Sequence, residues 1–141
     1  MKIDRTLPVL VVDDFSSVTK VVSCVLQHIG FREVDAVHTG AEALAKVQSK
    51  RYGLIVSDLH MKPMDGAELL WHLKSQVYTS SIPVIVLTGD PLESSQQAAR
   101  QSGASSFVLK APSPGMLEAR LEEAIAQLSA GHSEKALTTF H

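Results

Sequence analysis

Five short apolar runs, roughly 20 to 30 residues apart, constrain the fold of this chain more than any other feature. They are Pro8–Val12, Val34–Val37, Leu54–Val56, Pro83–Leu87 and Phe107–Leu109. Most are rich in Val and Ile and bounded by Asp, Gly or Pro, and each is short enough to be a strand buried on both faces. Helical patterns lie between them. Val18, Val21, Val22, Val25, Leu26 and Ile29 fall at the spacing of a helix with one face in a core, and Gly30 suits its stop. Ala41, Ala43, Leu44 and Val47 suggest a second helix, Ala67–Leu73 a third, and Leu92–Ser102, ended by Gly103, a fourth. A fifth spans Met116–Leu128, apolar at 117, 121, 125 and 128, with Pro114 near its first turn.

Strands alternating with helices imply a parallel sheet covered on both faces. Right-handed crossovers leave few topologies, and an α/β doubly wound five-stranded parallel sheet with five helices is the leading one. The expected domain spans residues 1–130. Residues 131–141 read as a short flexible tail, too small for an output domain.

A chain that is 45% apolar and 20% charged is ordinary for a soluble globular protein. A formal charge of −2, with acids and bases scattered, gives no basic stripe for nucleic acid. A single cysteine, Cys24, rules out an intrachain disulfide and suits a reduced, cytoplasmic protein. No apolar run approaches the ~20 residues of a membrane span, and residues 1–8 lack the apolar centre of a signal peptide.

The chemistry-bearing residues come at the strand ends: Asp13 and Asp14 after the first run, Asp58 after the third, Thr88 after the fourth, Lys110 after the fifth. In an open α/β sheet, ligands bind beyond the carboxyl ends of the strands, where strand order reverses, so all five would gather in one crevice. Three carboxylates in that crevice repel one another, and a hard divalent cation relieves the repulsion. Mg²⁺ suits a site of few carboxylates and several waters. One carboxylate can then take up a phosphoryl group whose oxygens the metal, the Lys110 ammonium and the Thr88 hydroxyl would hold. Each residue alone is weak evidence, since a lone Asp after a strand is usually a helix N-cap. Their joint placement is what points to chemistry.

The segments Val11-Val12-Asp13-Asp14, Asp58-Leu59-His60-Met61-Lys62-Pro63-Met64-Asp65-Gly66, Leu87-Thr88-Gly89 and Phe107-Val108-Leu109-Lys110 resemble the response-regulator receiver family, above all its free-standing, CheY-like members. The likeness runs from about residue 6 to residue 129. It implies strand order 2-1-3-4-5. It further implies that Asp58 is the phosphoacceptor and that Asp13, Asp14, Asp58 and the backbone carbonyl of His60 are the ligands of Mg²⁺, with Mn²⁺ an alternative. Lys110 and Thr88 would contact the phosphoryl group, and Thr88 with Phe107 would form the switch. His60 and Asp90 would set the lifetime of the phosphate. The implied partners are a histidine kinase or histidine phosphotransfer protein and a downstream protein target. There would be no nucleic acid or membrane, and the protein would be a monomer or a dimer formed on phosphorylation.

Two departures from the family pattern fall in loops. Proline does not follow the lysine directly in Lys110-Ala111-Pro112, so a trans Lys110–Ala111 bond is expected in place of the family's cis Lys–Pro. Pro63 stands one position late, with the spacing from Asp58 to Gly66 kept, which should alter only local loop shape. An Asp-nucleophile phosphohydrolase would also use a strand-end aspartate and Mg²⁺. It needs a second acid two residues on, where this chain has His60. The expected role is therefore regulatory: a phosphoacceptor that assists its own phosphorylation and dephosphorylation. Trp71 cannot share the core-facing side of its helix with Leu69, Leu70 and Leu73, and should be partly exposed.

Overall fold

A computed structural model describes residues 3–89, 103–110 and 113–130. Strands β1 (Val9–Val12), β2 (Val34–Val37), β3 (Leu54–Asp58), β4 (Val84–Thr88) and β5 (Ser106–Leu109) form one parallel sheet in the order β2-β1-β3-β4-β5. Chain order reverses at β1 and β3, the expected switch point. Four helices lie among the described residues: α1 (Ser16–His28), α2 (Gly40–Ser49), α3 (Gly66–Lys74) and α4 (Pro114–Ser129), the last being the fifth helix of the sequence pattern. The helix expected over Leu92–Ser102 lies outside the described residues, as do the Lys110–Ala111 bond, Asp90 and the segment 131–141.

Strand residues alternate between two apolar layers. Val9, Val11, Leu54, Val56, Ile85 and Val108 meet α1 and α4 through Val22, Leu26, Leu121 and Ile125. Leu10, Val12, Ile55, Val84, Val86 and Phe107 meet α2 and α3 through Ala43, Val47, Leu69, Leu70 and Leu73. Because both faces are covered, β1, β3 and β4 are buried along their whole length, which is why they read as continuous runs, whereas edge strand β2 is only partly buried and carries Asp35. At about 25 cal/mol per Å² of apolar surface removed from water, these two layers are the main stabilising term.

Local chemistry sets the helix ends. Thr39, Asp65 and Ser113 each accept a backbone N–H from the residue three further on, and Pro114 opens α4, where its missing N–H costs nothing. After α1 the chain turns at Gly30 with φ of +112°, a conformation open to glycine at little cost. Two details depart from the periodicity. Val21, placed on the core face by spacing, is 41% exposed, and α1 instead buries Thr19 among its valines. Leu69, Leu70 and Leu73 take the inner side of α3 and leave Trp71 62% exposed, as expected.

Candidate functional site

The carboxyl ends of β1 and β3 lie side by side, with Val12 opposite Ser57, so Asp13 and Asp58 leave the sheet as neighbours. Asp14 completes the cluster, and one carboxylate oxygen from each of Asp13, Asp14 and Asp58 lies within 4.8 Å of the others. Asp13 and Asp58 are buried, while Asp14 is exposed. Asp13 is held by both oxygens. Oδ1 accepts the Phe15 backbone N–H at 3.0 Å, and Oδ2 faces the Lys110 ammonium at 3.2 Å.

The same ammonium lies 3.1 Å from Asp58 Oδ1. Burial pushes the Asp58 carboxyl above its ordinary range and the neighbouring Asp13 adds to this, while Lys110 and the backbone N–H of His60 pull the other way. For Lys110, burial acts downward, but the Asp58 and Asp13 carboxylates outweigh it and hold the ammonium above its usual value. Lys110 therefore stays charged throughout the physiological range.

Sequence spacing placed Asp58 and Thr88 just beyond their strands; in the structure each is the last residue of its strand, β3 and β4. The difference has a simple cause. A polar residue ends an apolar run in the sequence, but the backbone ladder continues through it. Thr88 is fully buried, and its carbonyl accepts the Lys110 N–H at 2.8 Å, joining the ends of β4 and β5. His60 is exposed and sends its backbone N–H to the Asp58 carboxylate. The ring of Phe107 is 1% exposed, inside the layer shared with α2 and α3.

The loop after β3 closes tightly. The Gly66 N–H donates to the Leu59 carbonyl at 2.8 Å, and the Lys62–Pro63 bond within it is cis. Two contacts had no signal in the motifs. The Ser57 hydroxyl donates to the backbone carbonyl of Asp58 at 3.0 Å, and Arg120 donates to that of Leu109 at 3.0 Å. Arg120 borders the buried stripe of Leu117 and Leu121 at helical spacing, the one hint that its stem lies against the sheet.

A hard, oxygen-preferring cation fits this donor set, since the three acids are all oxygen ligands and their mutual repulsion is only partly relieved by Lys110. The chain is 24% identical to chemotaxis protein CheY-3 of Vibrio cholerae over 89% of its own length and 97% of that protein's. It is 34% identical to transcriptional regulatory protein ZraR of Klebsiella oxytoca over 84% of its length, a match confined to 26% of the longer protein. The solved chemotaxis response regulator CheY4 of Vibrio cholerae superposes with a TM-score of 0.76 at 33% identity, covering 84% of this chain and 98% of that one. The family model of the response regulator receiver domain matches residues 9–122. With that match running from the first strand into the last helix, the chain belongs to the CheY-like receiver domains of two-component response regulators.

Proposed function

We propose that this receiver is a phosphorylation switch in which Asp58 accepts a phosphoryl group in the presence of Mg²⁺ or Mn²⁺. One observation carries the reading: a buried carboxylate shares a 4.8 Å cluster with two further acids and lies 3.1 Å from a lysine ammonium. A divalent cation held by Asp13, Asp14, Asp58 and the His60 carbonyl would neutralise charge on the carboxylates and on the phosphoryl oxygens. An Asp58 carboxylate oxygen attacks phosphorus, an O–P bond forms, and the bond from phosphorus to the donor's imidazole nitrogen breaks. Lys110 supplies a fixed positive charge for the oxygens in flight, and the Thr88 hydroxyl donates to one of them once transfer is complete.

The donor in this reading is a histidine kinase or a histidine phosphotransfer protein, and the setting is the cytoplasm. Output leaves through protein contact, with the protein a monomer or a dimer that forms on phosphorylation. A bound phosphoryl group favours the arrangement in which Thr88 and Phe107 move together, because that arrangement makes the extra contacts. His60, exposed beside Asp58, and Asp90, two residues past Thr88 in the sequence, would govern the access of water to the acyl phosphate. No helix of the described residues is long and apolar enough to cross a membrane.

Treatment with a small phosphodonor and Mg²⁺, followed by intact-mass measurement, should add one phosphate. The addition should vanish in Asp58→Asn and on chelation of metal. Uptake that survives either change overturns the assignment.

A further inference from the structure

We propose that Arg120 is a positioning residue for Lys110. The inference rests on the reading of Lys110 as the cation that meets the phosphoryl group, and goes beyond it by naming what aims that cation. A single planar peptide group joins Leu109 to Lys110, and the structure grips it at both ends. Its N–H donates to the Thr88 carbonyl at 2.8 Å, tying it to β4. Its carbonyl accepts from Arg120 Nη1 at 3.0 Å, tying it to α4 on the other side. A planar unit bonded at opposite edges cannot rotate about the strand axis, so the direction in which the Lys110 side chain departs is set.

The sequence supplies the reason such a grip matters here. The ring that would stiffen the chain directly after the lysine is absent, because alanine follows Lys110. The restraint acts instead on the peptide that precedes it. Guanidinium suits the task, being permanently charged, weakly hydrated and rigid at its donor end, so its bond to a half-buried carbonyl is charge-assisted. The Lys110 ammonium lies 3.1 Å from Asp58 and 3.2 Å from Asp13 at once, and a tilt of the peptide would have to be taken up by the torsions of the side chain to keep that double contact.

Rates of phosphate uptake from a small phosphodonor in excess Mg²⁺ are to be compared for the unaltered protein, Arg120→Ala, Lys110→Ala and the double variant. Arg120→Ala should slow uptake about tenfold, the scale of a modest misplacement. Arg120→Lys should recover part of the loss. In the Lys110→Ala background the Arg120 change should have no further effect, since the group it aims is gone. A purely structural role would slow both backgrounds alike and overturns the proposal, as does an unchanged rate in Arg120→Ala. If Lys110→Ala itself leaves the rate unaltered, the reading of Lys110 falls and takes this inference with it. That outcome is distinct from a slow Lys110→Ala beside a normal Arg120→Ala, which sinks the positioning role only. Should Arg120→Ala fail to fold, Arg120→Met, which keeps an apolar stem but no donor, carries the same comparison.

Discussion

A Cβ on Gly66 would stand 2.4 Å from the backbone oxygen of Asp58 and 2.8 Å from the Leu59 Cα. The start of α3 therefore lies directly on the strand end that carries Asp58, and the obstructing atoms are backbone that cannot swing aside. Gly66→Ala should destabilise the fold by about 1–3 kcal/mol, the usual range for overpacking. Because relief requires Asp58 to shift, it should also slow phosphate uptake. Urea unfolding and intact-mass kinetics on the same variant check both. A stability loss with normal kinetics would show that the loop yields and the strand does not.

Asp58→Asn should stabilise the metal-free protein at neutral pH. Burial first, then Asp13, lift the Asp58 carboxyl above its ordinary 3.8, so ionising it works against folding. For a carboxyl raised in this way, its stability contribution is complete below the unfolded value and is lost as pH rises through the folded one. The variant's advantage should thus open on the alkaline side of the carboxylate range and close below about pH 4. Thermal unfolding in chelator across that range reads the effect.

At the edge strand β2, Asp35 accepts the Tyr52 hydroxyl at 2.6 Å and the Lys50 ammonium at 2.8 Å. Burial raises the Asp35 carboxyl, but the two donors together outweigh it, and the net shift is downward. A depressed carboxyl stabilises above its unfolded value and loses that contribution as pH falls through the folded one. Tyr52→Phe should cost about 1–2 kcal/mol at neutral pH. The cost should shrink on acidification below about pH 4, with phosphate uptake unaffected. Denaturant midpoints at several pH values test this.

Leu121→Ala removes a fully buried side chain between α4 and the sheet and should cost about 2–5 kcal/mol. Trp71→Ala, on the open side of α3, should stay within about 0.5 kcal/mol despite its larger loss of apolar atoms. Trp71 lies edge-on to the His72 ring at 5.1 Å, a contact that adds little at an exposed position. Chemical denaturation of the pair distinguishes core from surface.

What was legible in the sequence follows from which interactions are local. Val- and Ile-rich runs mark strands buried on both faces, and Asp13, Asp14, Asp58 and Lys110 mark a crevice because a sheet's topology collects strand ends. The order β2-β1-β3-β4-β5 came through family resemblance, and strand periodicity alone does not separate it from other windings. Val21 was misplaced because helical spacing offered a wider apolar face than α1 buries. Arg120 and Ser57 escaped notice because each binds a backbone carbonyl, and carbonyls leave no trace in a sequence motif. The Asp35–Tyr52–Lys50 group was missed because its members are scattered across a strand and a loop with no common period.

The pairing of Val12 with Ser57 has a consequence for how such a molecule can change over time. The distance between the acids of β1 and the acid of β3 is written in main-chain hydrogen bonds, which substitutions of side chains scarcely touch. Connections above the sheet are held less strictly, except where Gly66 lies against Asp58 and Leu59. This chain shows the latitude: a proline sits one step late after Asp58, and an alanine stands where a ring would follow Lys110, yet the acids and the lysine still meet. Those two loop positions, and the surface they present, can accordingly vary while Asp13 and Asp58 keep their spacing through the ladder.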